Sequence, residues 1–309
     1  MRTSLRQQLL LIILFTIGVF APLSPNAWAE IYKYQDKTGK WHFTDKKPKS
    51  TVHGVQQVPY SQQISRKKTP YIEVIRNNST IQYIAHNPYH GVVQCFFRLK
   101  NTQDRRVKIT LPALTSKEIY KDEGSSAKEQ EFQFRYVIGQ PHSTPSTDQY
   151  LPPFSDFKPM KITQGFRGKF SHNRQPSLYA VDIAMPVSTK ITAVRDGTVI
   201  VTKDDYAYAG VTSAFFLDKA NFIEIMHEDG TYAIYAHLLL GSLKVREGMK
   251  VKAGQIIGLS GNTGYSTGPH LHFAIRYNAA GKTKSLPFKF IQANKKVVQP
   301  AKGLWLLPL

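Results

Sequence analysis

Gly261-Asn262-Thr263-Gly264-Tyr265-Ser266-Thr267-Gly268-Pro269-His270-Leu271-His272-Phe273 is a loop rich in Gly, Ser and Thr that runs into an apolar strand. Side chains of an extended strand alternate between its faces with period two. His270 and His272 therefore project from one face, with Leu271 and Phe273 on the other. Two imidazoles side by side on a rigid strand bind a metal ion or divide the work between ligand and base. His-x-His also arises on solvated strand faces, so the motif acquires meaning only with partners from elsewhere in the chain.

Upstream, Phe222 to His237 reads as one hairpin around Asp229-Gly230, the preferred two-residue turn. That turn sets Glu228 opposite Thr231 and Phe222 opposite His237, so that His237 shares a face with Tyr235, Phe222 and Glu224. Glu224 is then in reach to orient His237. His227-Glu228 does not begin a His-Glu-x-x-His motif, because position 231 is Thr, and His227 reads as a surface residue beside the turn. Further upstream, Tyr179-Ala180-Val181-Asp182-Ile183-Ala184-Met185-Pro186 places a lone carboxylate inside an apolar strand. Such a group is costly to bury unless it is paired or bound to a cation. His172 precedes it by ten residues. A hydrolytic zinc site takes about three protein ligands and leaves one position for water.

The region around these groups, 158–294, is strand-rich, with turns at Asp196-Gly197, Glu247-Gly248 and Ala253-Gly254. A Pro-rich connector, 141–157, precedes it and a tail, 295–309, follows. Residues 70–140 hold short strand-like runs, including 71–75, 80–86, 91–99, 106–111 and 130–138, which predict a small β-sandwich-like domain. Before it, 30–69 reads as a short β-hairpin module followed by a basic linker without period. The fold class expected is mainly β.

At the N-terminus, Arg2 and Arg6 precede an apolar run from Leu9 to Phe20, and Ala27-Trp28-Ala29 supplies a small-x-small cleavage site. Residues 1–29 read as a cleaved secretory signal, leaving no membrane span in the mature chain. The 309 residues carry 41 Lys and Arg against 21 Asp and Glu, a net charge of +20, and losing Arg2 and Arg6 leaves +18. Such a balance favours an anionic partner. Export argues against nucleic acid and for the anionic cell wall. Cys95 is the only cysteine, so no intramolecular disulfide forms, which suits a bacterial periplasm or secretion from a bacterium.

Taken together, His172, Asp182, Tyr235-Ala236-His237-Leu238 and Gly268-Pro269-His270-Leu271-His272-Phe273 resemble the LytM/lysostaphin-type zinc metallopeptidases, which cut peptide bonds in peptidoglycan. Val245-x-x-Gly248-x-x-Val251-x-x-Gly254-Gln255-x-Ile257-Gly258 matches the family's spacing, and the resemblance covers about residues 160–277. It implies an antiparallel β-sheet peptidase domain with a groove. It also implies zinc held by His172, Asp182 and His272, with His237 and His270 as an unligated catalytic pair. One departure stands out. The family's first His lies four residues before the Asp, a position occupied here by Leu178, so the stretch around 173–178 must loop out for His172 to serve. Some members that have lost metal ligands activate separate wall amidases, a second role compatible with this fold.

Overall fold

The computed structural model describes residues 31–35, 41–44, 53–58, 69–100, 105–124, 127–211 and 214–308. The expected leader 1–29, the hairpin turn at Gly39 and the basic run Arg66-Lys67-Lys68 lie outside the described residues. Among those described, no helix is long and apolar enough to cross a membrane. The N-terminal module contains more order than the sequence suggests. Ile31–Gln35 pairs antiparallel with Trp41–Thr44, as a hairpin should, but also with His53–Val58, which the sequence analysis assigned to the linker.

Six strands then form a sandwich: β1 (Tyr71–Asn77), β2 (Thr80–His86), β3 (Val93–Leu99), β4 (Arg106–Leu111), β5 (Ser116–Glu123) and β6 (Phe132–Ile138). Two three-stranded sheets, β1-β2-β5 and β4-β3-β6, face each other. Ile81, Tyr83, Phe97 and Leu99 are buried between them, with Phe132 against them. The strand missed from sequence is β5, whose Ser-Lys-Glu-Ile-Tyr-Lys-Asp-Glu lacks apolar alternation. It is an edge strand, where charged side chains meet water and block further pairing.

The second half is built on a nine-stranded sheet made of β7 (Met160–Gln164), β8 (Val181–Ala184), β9 (Gly197–Lys203), β10 (Phe222–Met226), β11 (Tyr232–Ala236), β12 (Lys250–Val251), β13 (His270–Asn278), β14 (Thr283–Leu286) and β15 (Trp305–Leu306). The order is β12-β9-β10-β11-β13-β8-β7-β15, with β14 beside the far half of β13, and the pairs are antiparallel. Strand alternation separates two faces. Val181, Ile183, Ile223, Tyr235, Leu271 and Phe273 enter the main core, while Asp182, Ala236, His270 and His272 stand on the other face. The stretch 141–157 is not a free spacer. Gln149–Tyr150 and Phe154–Ser155 pair with strands of this domain, and Tyr150 and Phe154 are buried in its core. The tail is likewise integrated, since Val297–Val298 pairs with Lys289–Ile291 and Leu306 on β15 is fully buried.

The sandwich seals one end of the site-bearing face. Its Tyr89, Val93, Cys95 and Leu111 form one buried cluster with Ile200, Val201 and Tyr232 of the large sheet. A bulge between Val199 and Val201 inserts Ile200 as the extra residue. On the same side, the Asn278 side chain donates to Gln94 Oε1 at 3.2 Å and to the Gly139 carbonyl at 3.0 Å.

The β10–β11 hairpin departs from the expected register by one residue. Phe222 pairs with Ala236 and Glu224 with Ile234, because His227 and Thr231 close a three-residue loop in which Gly230 adopts a φ of 80°. Tyr235 thereby turns into the core, where its hydroxyl accepts the Val194 N–H at 2.9 Å, and it does not share a face with Glu224. His227 is also not a surface residue. It is buried against Tyr150, and its Nδ1–H donates to the Asp196 carbonyl at 2.9 Å.

Burial pushes the His227 pKa down to about 4, offset in part by the Asp196 carbonyl. The folded pKa lies below the unfolded one, so this contribution is complete above about pH 6.5 and is lost as the pH falls toward 4. Across that window His227 is expected to remove about 3 kcal/mol of stability, at ~1.4 kcal/mol per pH unit. Denaturant unfolding at a series of pH values checks this: the slope of stability between pH 4 and 6.5 should flatten in His227→Gln, and an unchanged slope would rule His227 out as its source.

Candidate functional site

Asp182 and His272 sit directly opposite each other on β8 and β13. The pairing delivers the carboxylate and an imidazole to one spot: His272 Nδ1 is 2.9 Å from Asp182 Oδ1. His172 reaches the same spot from the loop before β8, its Nε2 lying 3.2 Å from Asp182 Oδ1 and 3.3 Å from His272 Nδ1. The ten-residue spacing is absorbed by a loop closed by Arg167 N–H to the Leu178 carbonyl at 2.7 Å. That loop is fastened to β14, where Gln175 Oε1 accepts the Ser285 N–H at 2.7 Å. His172 is fully buried, and its Nδ1–H donates to the Gly165 carbonyl at 3.2 Å, which leaves Nε2 available to a cation. His142, also upstream of Asp182, lies elsewhere, with its backbone N–H donating to the Asn278 carbonyl at 3.1 Å.

His237 and His270 border this cluster, their ring centroids 4.5 Å apart. His270 Nε2 is 3.8 Å from Asp182 Oδ1, and its Nδ1–H donates to the Gly268 carbonyl at 2.8 Å. His237 follows the last residue of β11 and turns out of the strand with a φ of 67°, a conformation non-glycine residues rarely adopt. Its Nδ1–H donates to the Thr263 carbonyl at 2.6 Å. Both rings thus carry their proton on Nδ1 and keep Nε2 as an acceptor. Glu224 pairs with Arg276, Oε1 to Nη1 at 3.7 Å.

Two features that the sequence analysis missed fix this geometry. Gln164 Nε2–H donates to Asp182 Oδ2 at 2.8 Å, while Gln164 Oε1 accepts the N–H of Phe170 at 3.1 Å, so one side chain ties the carboxylate to the loop that carries His172. Gly264, with a φ of 77°, lies where a Cβ would strike the Ala220 backbone, and this close approach joins the two loops flanking the groove. The groove between them encloses about 580 Å³. Leu217, Phe170 and Tyr265 line it, the latter two rings stacked at 6.3 Å. Tyr206 and Tyr208 meet edge to face, their ring centroids 5.9 Å apart, and do not line it.

Electrostatics at the cluster favour a cation. Burial opposes ionisation of Asp182, but the neighbouring His172 and His272 outweigh it and hold the carboxyl well below its usual range. Burial lowers the His272 pKa against the pull of Asp182. Burial first, and then the neighbouring His270 and His272, push His237 down to about 3. An ionised carboxylate with neutral imidazoles is the protonation state that binds a divalent metal. The candidate ligand atoms of His172, Asp182 and His272 all lie within 4.8 Å of one another. A tetrahedral ion with bonds of about 2.0–2.1 Å spaces its ligands roughly 3.3 Å apart, so the separations of 2.9, 3.2 and 3.3 Å fit zinc.

Residues 177–284 match peptidase family M23, and residues 19–70 match a domain of unknown function, DUF4124. The chain is 36% identical over 121 residues to the peptidoglycan DD-endopeptidase ShyA of Vibrio cholerae, covering 39% of this chain and 24% of that protein. It is 37% identical over 116 residues to the glycyl-glycine endopeptidase ALE-1 of Staphylococcus capitis, covering 37% and 29%. The chain thus spans about a quarter of the length of these curated relatives. Among solved structures, the lysostaphin catalytic domain from Staphylococcus simulans is 29% identical over 40% of this chain and 82% of that one, with a TM-score of 0.28. His172 lies five residues ahead of the matched span, and Asp182, His237, His270 and His272 lie within it. Over residues 177–284 this chain is similar to peptidase family M23, a family of zinc metallopeptidases that act on peptidoglycan.

Proposed function

We propose that the protein is an exported zinc metalloendopeptidase that hydrolyses peptide bonds, in cross-links or stem peptides, of peptidoglycan during cell-wall remodelling in the periplasm or outside the cell. The observation that carries this reading is the convergence of His172 Nε2, Asp182 Oδ1 and His272 Nδ1 within 3.3 Å of one another at the floor of a groove. These three residues would hold the ion. When bound, zinc supplies Lewis acidity to the attacking water and the scissile carbonyl. His270, whose Nε2 lies nearest the cluster, takes the proton from the water, since an imidazole accepts and returns protons near neutral pH. His237, held neutral, accepts a hydrogen bond and helps orient the water. The groove walls exclude bulk solvent and keep an extended peptide over the cluster.

Relatives of similar identity are named for different bonds, one a DD-endopeptidase and one a glycyl-glycine endopeptidase, so the matched residues favour the chemistry over a particular bond. The +18 charge left after loss of Arg2 and Arg6 supports retention on an anionic wall, weakened by salt. The alternative, an inactive member that activates a wall amidase, requires a defective ligand set, and the three-residue cluster argues against it.

The test is digestion of purified sacculi, with soluble muropeptides identified by mass spectrometry. Peptide-cleaved fragments should appear with zinc, disappear with a chelator and return when zinc is restored. A folded, zinc-loaded protein that releases none would overturn the reading and favour the amidase activator.

A further inference from the structure

The groove does not stop at the histidines. Along β13, two and four residues past His272 on the same face, lie Ala274 and Arg276, with Ala236 and Ile234 beside them on β11. Ala236 and Ile234 make a small, apolar floor, with Ala274 fully buried beside Ile234, and Glu224 and Arg276 line the groove at its far end. Arg276 stands about 13 Å from His272, at ~3.3 Å per residue, a span that an extended peptide of about four residues crosses.

Three observations make Arg276 more than a structural cation. Its contact with Glu224 is a loose one, 3.7 Å between Nη1 and Oε1. Its Nε–H is buried and, among the described residues, finds no hydrogen-bond partner. A guanidinium lining a groove with one donor unfilled and its ion pair stretched is a costly arrangement, and a carboxylate in the groove relieves it at the Nη atoms. The groove also ends there. Asn278, the next residue on that face, is fully buried and bonded to Gln94 and Gly139 of the sandwich. A peptide lying over Ala236 and Ile234 therefore has no room to continue past Arg276.

We propose that Arg276 is an end stop that reads the free terminal carboxylate of a peptide with small side chains, with Glu224 positioning its guanidinium. The sandwich, by closing the groove behind Arg276, fixes how many residues separate that carboxylate from the bond over the histidines. This deepens the peptidase reading and rests on it for the identity of the peptide.

The test measures binding with the metal removed, so that a carboxylate cannot gain affinity from zinc. Chelator-treated protein is titrated calorimetrically with a muropeptide-derived tetrapeptide bearing a free terminal carboxylate, and with the same peptide as its carboxamide. Wild type should bind the carboxylate at least about ten-fold more tightly, the ~1.4 kcal/mol that a charge-assisted contact supplies. Arg276→Gln, checked for folding by circular dichroism, should bind the two peptides alike. Equal affinities in wild type, or a preference that survives in Arg276→Gln, would overturn the proposal. The wild-type comparison decides by itself if the variant does not fold. Digestion of sacculi by the zinc-loaded protein separates the two ideas: a carboxylate preference without released fragments sinks the peptidase and leaves the subsite, and cleavage without preference sinks the subsite alone.

Discussion

Replacing Asp182 by alanine is expected to abolish both zinc binding and chelator-sensitive release of muropeptides, with activity falling by about 10³-fold or more. The magnitude follows from what the carboxylate does. It is the one anionic group in the cluster, touching His272 Nδ1 at 2.9 Å and His172 Nε2 at 3.2 Å, and without it a dication would be left with two neutral imidazoles. Metal assistance is worth several kcal/mol of barrier, and each 1.36 kcal/mol is a factor of ten in rate. The isosteric Asp182→Asn separates charge from shape. It keeps the strand pairing of β8 with β13 but removes the negative charge, and an amide NH₂ would face either the Gln164 Nε2–H donor on one side or the ion, which it cannot ligate, on the other. Zinc content by elemental analysis, run beside muropeptide release, should therefore read near zero in both variants. One equivalent of zinc and undiminished release in Asp182→Ala would exclude Asp182 as a ligand.

Much of this site was legible because it is written in strand alternation. His270 and His272 on one face, and a carboxylate in an otherwise apolar Val-Asp-Ile-Ala strand, need only period two and the cost of burying a charge. What pairs with what was less legible. Register in a hairpin depends on turn geometry, and the Asp229-Gly230 turn is one residue longer than the dipeptide suggests, since Thr231 N–H and Oγ1–H both bind Asp229 Oδ1 and tighten a three-residue loop. That single slip moved Tyr235 into the core and parted Glu224 from His237. His227 was misread for a related reason: a turn-adjacent histidine looks exposed until Gln149–Tyr150, distant in sequence, covers it. Gln164 carries no signal in the sequence, because its role depends on contacts with Phe170 and Asp182 that only the folded loop creates. The displaced His172 is the converse case. The chain solves the spacing with an excursion pinned to Ser285, more than a hundred residues away.

Removing either unligated histidine should have a different signature from removing Asp182. His270→Ala and His237→Ala are each expected to lower kcat by about 10²–10³-fold, the range for a positioned proton acceptor, while zinc content stays at that of wild type. The reason lies in which nitrogen is free. Both Nδ1–H groups are committed to backbone carbonyls, Gly268 for His270 and Thr263 for His237, so each ring presents Nε2 to the groove and neither needs the ion for its orientation. His270 Nε2 is within 3.8 Å of the carboxylate that would ligate zinc, close enough to take a proton from water between them. His237 is farther from the ligand pair, its ring 6.0 Å from that of His272, and its pKa of about 3 makes it a poor reservoir for a proton. It serves best as a neutral acceptor that orients the water. The two act on one water, so the double variant should lose little more than His270→Ala alone, as groups working as a unit are non-additive. Free imidazole in the buffer should restore part of the activity of His270→Ala and little of His237→Ala, because a diffusible base replaces proton transfer better than it replaces a fixed orientation. Loss of zinc along with activity in His270→Ala would instead make that residue a ligand and reverse its assignment with His272.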